Sequence, residues 1–177
     1  SAFIAGETLG QRITRAPELA AARQALPGQC ARVLADIHRT DTTPLPPLPA
    51  EPPARMIGQL RELHDGFGVR RPVFELAFAW LRKHLPDGHQ HRLVHGDFRN
   101  GNFIVGQAGL VSVLDWEAAH LGDPLEDLGW MCMNAWRFGR IEQPVGGFGS
   151  RNDFYRAYEA ASGTPVDPAR VRYWEVF

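Results

Sequence analysis

Cysteine is scarce in these 177 residues, with only Cys30 and Cys132 present. Two cysteines cannot staple a secreted disulfide framework, and both fall in apolar, helix-like stretches where a free buried thiol is the ordinary outcome. A reducing compartment, hence the cytoplasm, is expected. Long apolar runs are missing as well: none nears the ~18 residues of a membrane span, and the opening SAFIAGETLG lacks the basic start and apolar centre of a signal peptide. No membrane partner is expected. Neither sign of charge dominates, since 19 Lys and Arg against 20 Asp and Glu leave −1. That gives no basic field for a nucleic-acid backbone. Lysine is reduced to Lys83, in a helical stretch far from any candidate nucleotide strand. The run Gly146-Gly147-Phe148-Gly149 is fed by no strand and followed by no Lys-Ser/Thr, so it reads as a flexible loop rather than a phosphate loop.

What is present is an ordinary globular composition, 44% hydrophobic and 22% charged. The length suits one domain, or one large lobe of something bigger. Ala2 to Gly6 looks like the end of a strand, and Pro17 to His38 has a helical pattern interrupted at Pro27-Gly28, giving two helices or one with a kink. Asp41 to Pro53 is too rich in proline for helix or sheet and reads as an extended surface loop. Amphipathic helices are predicted over Ala54 to His64, Pro72 to Leu85 and Asn152 to Ala161, and a last one from Asp167-Pro168 to Phe177. Asp123-Pro124-Leu125-Glu126 has the pattern of a capping box and predicts a helix from Pro124 to about Phe138.

The chemistry lies in HGDFRNGN (His95 to Asn102) and VSVLDWE (Val111 to Glu117). Two β-rich runs separated by Gly106-Gln107-Ala108-Gly109 predict a hairpin, Asn102 to Val105 against Val111 to Leu114. Centred between Ala108 and Gly109, it places Asn102 across from Asp115, with Asp97 in the loop just before. An Asn carbonyl and an Asp carboxylate are hard oxygens, too few for a Ca²⁺ cage but suited to Mg²⁺, which borrows oxygens from a bound phosphate. A second Asp nearby can orient a hydroxyl and take its proton. His84, His89, His91 and His95 crowd near Asp87, but the Pro-Asp-Gly turn and alternating Arg and Gln read as a solvated loop rather than a zinc cradle.

His95-Gly96-Asp97, Asn102, Leu114-Asp115-Trp116-Glu117, Gly122-Asp123-Pro124 and Asp127-Leu128 together resemble the catalytic and metal-binding segments of the aminoglycoside phosphotransferase and choline kinase group, relatives of protein kinases. The resemblance implies an α+β fold, a kinase-like C-terminal lobe that is mostly helical, with the short hairpin carrying the metal-binding residues. It implies Asp97 as catalytic base, Asn102 and Asp115 as Mg²⁺ ligands, and ATP as phosphate donor. Arg99 falls where many protein kinases carry a Lys that steadies the transferring phosphate, although many aminoglycoside enzymes lack a cation there. His95 is expected to be structural. Glu117 is either a metal-supporting acid or a surface charge, and Asp127 either faces the catalytic loop or is a plain acid in a first helical turn. Asp123 is accounted for as an N-cap.

The same resemblance places Ala2 to Gly6 at the hinge strand, where backbone groups of Phe3, Ile4 and Ala5 would meet adenine. The glycine-rich loop and phosphate-pairing lysine of kinase-like enzymes belong to an N-terminal lobe absent from these residues. The chain is therefore expected to be silent alone, and to leave apolar surface at Phe3, Ile4, Trp174 and Phe177. Its expected partners are that missing lobe and a small hydroxylated substrate that is aminoglycoside-, choline- or hydroxyacyl-like. Glu142, Asp153 and Glu159 could supply an acidic aminoglycoside pocket, but Arg137, Arg140, Arg151 and Arg156 dilute it. That favours a neutral or anionic acceptor. Trp136 to Tyr158 also looks like kinase-like domains found beside or fused to acyl-CoA dehydrogenases, which implies a hydroxyacyl substrate. A non-catalytic pseudokinase-type binding module is the alternative, and a metal-dependent hydrolase is disfavoured by the lack of a nucleophile or a two-metal carboxylate cluster.

Overall fold

The computed structural model describes residues 3–69, 71–88 and 91–177. A short helix α1 (Gly10–Arg15) and a 3-10 turn lead into α2 (Ala20–His38). Along α2, Ala22, Leu26, Cys30 and Leu34 recur every four residues and are fully buried, with Ala31 and Ala35 beside them. Pro27 lies within this helix without ending it. Of the two readings left open, a single helix forms. Helices α3 (Pro53–Gly66) and α4 (Pro72–Lys83) each carry proline in the first turn, where its missing N–H costs nothing. They pair with one another.

Strands β1 (Arg92–Val94), β2 (Phe103–Gly106), β3 (Gly109–Val113) and β4 (His120–Gly122) follow, then α5 (Leu125–Met131), α6 (Arg151–Ser162) and α7 (Pro168–Val176). Ser150 caps α6 by accepting the Asp153 N–H at 3.1 Å, and Asp167 caps α7 by accepting that of Ala169 at 2.9 Å. Helix α6 lies against α2, and α7 against α5. Phe154, Tyr158, Val171 and Trp174 belong to the buried core that these helices share with Phe103 and Val105 of the hairpin strands. The architecture is α+β, rich in helix with two small sheets.

The strand pairing positions the site. Antiparallel β2 and β3 form the hairpin, while β1 pairs with β4, Val94 opposite His120 and Arg92 opposite Gly122. One ladder is thus nested inside the other in sequence. The segments joining them, residues 95–102 and 114–119, face each other between the two ladders.

Several expectations need correction. The hairpin turns tightly at Gln107-Ala108 and an irregularity between Ile104 and Val105 shifts its register, so Phe103 opposes Val113. The Leu114 N–H donates to the Asn102 carbonyl at 2.8 Å. Asn102 therefore sits across from Leu114, and Asp115 lies one residue beyond. Residues 3–6 do not form a strand; Glu7 instead bridges Val105, exchanging bonds of 2.8 and 2.9 Å. Ala2 lies outside the described residues. Helix α5 stops at Met131, short of Phe138, because its end carbonyls find other donors: the Met131 oxygen accepts the Gly146 N–H at 3.1 Å and the Cys132 oxygen accepts Arg137 Nη2 at 2.7 Å. Asp123 accepts the Leu125 N–H at 3.1 Å as a cap should, but Glu126 turns to His120 instead of completing a capping box. The 146–149 run is a packed turn with Val145 and Phe148 buried, closed by Val145 and Gly149 bonding each other. Trp174 is buried, its indole N–H donating to Asp123 at 2.8 Å, and Phe177 is half-buried, whereas Phe3 and Ile4 are exposed.

Candidate functional site

Segment 95–102 is held from behind by one carboxylate. Asp127, fully buried in the first turn of α5, accepts the His95 N–H at 2.9 Å and the Gly96 N–H at 3.0 Å. His38 of α2 reaches the same carboxylate at 3.1 Å through Nε2 and meets the Tyr158 hydroxyl at 2.8 Å through Nδ1. Burial pushes the Tyr158 phenol up, so it stays a hydroxyl. An isolated buried carboxylate would be costly, but here every donor around it is used. Gly96 has φ of +79°, and a Cβ there would lie 2.4 Å from the Ala118 carbonyl. Only glycine lets the two facing segments approach so closely.

His95 is fully buried and uses both ring nitrogens on backbone. Nε2 is 2.9 Å from the Leu114 carbonyl, so it carries the hydrogen, and Nδ1 accepts the Asp97 N–H at 3.2 Å. Its ring also packs on Trp116, centroids 4.6 Å apart. His95 ties segment 95–102 to the end of β3, with both ring nitrogens committed to backbone partners.

Asp97 is the acid of this segment, its side chain 27% exposed. Oδ2 accepts Asn102 Nδ2 at 2.6 Å, Oδ1 accepts Trp130 Nε1 at 2.7 Å, and Arg99 Nε donates to both, at 2.9 and 3.2 Å. The Arg99 guanidinium also lies over the Trp136 ring at 4.4 Å. Asn102 is almost fully buried and donates a second bond from Nδ2 to the Asp97 carbonyl at 3.0 Å. With the amide nitrogen committed to Asp97, the amide oxygen is the pole left for a ligand.

Asp115 takes a left-handed conformation, φ 61° and ψ 63°, and is exposed. Positive φ is uncommon outside glycine, and Asp is among the residues that tolerate it. Among the described residues no side-chain partner engages it. Glu117 is likewise exposed without a described partner. Phe3, Ile4 and Ala5 are exposed, and the nearby Glu7–Val105 bridge ties this segment to the hairpin. The structure thus brings Asp97, Arg99, Asn102, His95 and Asp127 into one bonded cluster and leaves Asp115 and Glu117 on the facing segment. Among the described residues the histidine-rich stretch forms no metal-competent cluster: His84 is bound to the Trp80 carbonyl at 2.7 Å and His95 is in the core, while His89 lies outside the described residues.

Sequence reasoning missed His38, Trp130, Trp136 and Asn100. Asn100 is fully buried and fastens the loop to the 146–149 turn through a 2.9 Å bond to Gly146. For Trp130 a signal existed, since it follows Asp127 by three residues on one helix face. The acids that might have formed an aminoglycoside pocket are engaged locally: Glu142 by Arg140, Asp153 by Ser150, and Glu159 by the Val166 N–H. Arg137 and Arg151 share Glu175. Burial pushes the Cys132 thiol up to about 11 and raises Cys30 further still, leaving both inert.

Comparison with known proteins adds identity to this geometry. Mouse acyl-CoA dehydrogenase family member 10 is 44% identical over 64 residues, covering 35% of this chain and 6% of that protein. A Ralstonia eutropha structure described as a candidate aminoglycoside phosphotransferase superposes with a TM-score of 0.75 at 24% identity, covering 93% of this chain and 55% of the other. The GDP and kanamycin complex of APH(2")-IIIa gives 0.67 at 18% identity, over 99% and 58%. The chain thus spans little more than half of each solved relative and a small part of the mouse protein, while the fold is that of kinase-like phosphotransferases. A sequence profile of the phosphotransferase enzyme family matches residues 2–174, and the chain belongs to that family.

Proposed function

We propose that this chain is the C-terminal, catalytic-loop lobe of a Mg²⁺- and ATP-dependent small-molecule kinase that transfers the γ-phosphate to a hydroxyl. The observation that carries this reading is Asp97: a carboxylate oriented by Asn102, Trp130 and Arg99, yet 27% open to an incoming hydroxyl. Asp97 orients that hydroxyl and accepts its proton as the bond to phosphorus forms. Arg99 sits beside it with its terminal nitrogens available to the transferring phosphate.

The donor set fits Mg²⁺. The Asn102 amide oxygen and the Asp115 carboxylate are hard ligands without competing protein partners among the described residues, and an ion of this kind completes its shell with water and nucleotide phosphates. When bound, it would offset charge on the phosphate oxygens. The neighbour solved with GDP supports use of a nucleotide. The rest of the nucleotide site would come from an N-terminal lobe, so the 177 residues alone are expected to bind Mg²⁺-ATP weakly and to turn nothing over.

Relatives described as acyl-CoA dehydrogenase family members support a hydroxyacyl acceptor, and the local engagement of Glu142, Asp153 and Glu159 speaks against a polycation. The test is a phosphoryl-transfer assay of the complete protein with Mg²⁺-ATP against hydroxyacyl compounds, choline and aminoglycosides. Metal-dependent turnover that disappears in Asp97→Ala is expected. Turnover untouched by that change would sink the assignment, and its absence with every acceptor would leave the binding-module alternative.

A further inference from the structure

Helix α5 meets the catalytic-loop segment through two residues of one face. Asp127 grips the backbone N–H groups of His95 and Gly96, and Trp130, one turn later, donates its indole N–H to Asp97 Oδ1 at 2.7 Å. The spacing of three residues places both on the same side of the helix. One element therefore fixes both the backbone and the carboxylate of the loop.

The carboxylate is bracketed. Asn102 holds Oδ2 from the buried end of the hairpin, and Trp130 holds Oδ1 from the helix. Trp130 stands on α5 and Asn102 immediately precedes β2, its carbonyl accepting the Leu114 N–H at 2.8 Å, and together they set the plane of the carboxylate and the direction of its remaining lone pairs. Arg99 is the third donor, but it reaches both oxygens at longer distances from a half-exposed side chain on the loop itself. It is the donor free to swing toward a phosphate. Trp130 has no such alternative, because its ring packs against Trp136 with centroids 5.7 Å apart.

We infer that Trp130 is a positioning residue for Asp97, orienting the carboxylate that receives the acceptor's proton. This rests on the phosphotransferase reading above. Misplacement of a reacting group by a fraction of an ångström costs rate rather than affinity, so the signature is kinetic.

The experiment uses the complete protein with Mg²⁺-ATP and whichever acceptor supports turnover. Trp130→Phe keeps the ring and removes the N–H; kcat should fall about tenfold or more while both KM values stay within about twofold. In an Asp97→Asn background, where no carboxylate remains to orient, the same change should cost nothing further. A kcat within about twofold of wild type, or an equal additional loss in the Asp97→Asn background, overturns the inference. A second measurement leaves Trp130 in place: its indole ¹H–¹⁵N resonance should move upfield in Asp97→Asn, where a charged acceptor becomes neutral. An unmoved resonance overturns the inference even if Trp130→Phe fails to fold. Asp97→Asn as active as wild type would instead bring down the phosphotransferase reading beneath it.

Discussion

His38 and Asp127, from α2 and α5, meet at 3.1 Å with 3% and 0% of their side chains exposed. The loop that carries Asp97 is thereby tied to the longest helix of the core through a single carboxylate. Removing that carboxylate strands donors on His95, Gly96 and His38 at once. Asp127→Ala should cost about 3–5 kcal/mol in denaturant unfolding. His38→Ala leaves Asp127 with its two backbone donors and should cost less. Equal costs would mean that the imidazole, not the loop, is the main partner.

The two candidate acids should fail differently. In the complete protein, Asp97→Ala should lower kcat by about 10²–10⁴-fold with nucleotide affinity spared. Asp115→Ala should weaken Mg²⁺-nucleotide binding itself, by about tenfold or more. Titration calorimetry beside steady-state kinetics separates the two, and near-normal turnover of Asp97→Ala would refute its role.

Gly96 should tolerate no side chain. With φ at +79° and the Ala118 carbonyl 2.4 Å from where a Cβ would stand, Gly96→Ala must push the facing segments apart. The expected loss is about 1–3 kcal/mol of stability, together with activity. Thermal unfolding and a turnover assay on the same preparation check both.

His120 supplies a pH dependence. Burial opposes charge on its ring, but the Glu126 hydrogen bond and charge at 3.2 Å prevail and push it up to about 9. Burial pulls the other way on Glu126, raising its carboxyl; the contact decides for the ion pair near neutrality. A folded value above the ordinary 6.5 means that this contribution is complete below pH 6.5 and fades as pH rises through about 9. It is expected to be about 1–2 kcal/mol after solvent screening. Melting temperature should therefore drop more steeply across that window in the wild type than in His120→Gln. Parallel curves would show that the pair contributes nothing.

Local patterns in the sequence foretold most of the helices, since buried stripes such as Leu26, Cys30 and Leu34 depend only on helical spacing. The hairpin and the grouping of Asp97 with Asn102 were legible from β-rich runs and a glycine-bounded turn. The register was not, because the irregularity at Ile104-Val105 falls where Val105 also bonds Glu7, almost a hundred residues away in sequence. The pairing of β1 with β4 is equally non-local, and so are the donors from Arg137 and Gly146 that end α5 early. Trp130 was within reach, had the face of α5 that carries Asp127 been followed one turn further.

The hairpin tip is pinned as well as its open end. Gln29 of α2 donates to the Ala108 carbonyl at 2.9 Å and accepts the Leu110 N–H at 2.8 Å, and Glu7 braces Val105 at mid-length. The hairpin behaves as a beam supported along its span, and Asn102 stands at its anchored end. Residues 115–117 are all exposed, yet they are held between β3 and β4 by Trp116, whose ring lies on His95 and whose indole N–H donates to the Val113 carbonyl at 3.3 Å. The two proposed metal ligands therefore differ in access rather than in anchorage. Asn102 is buried and bonded to Asp97, whereas Asp115 stands open to solvent, so an arriving nucleotide would meet the Asp115 side first.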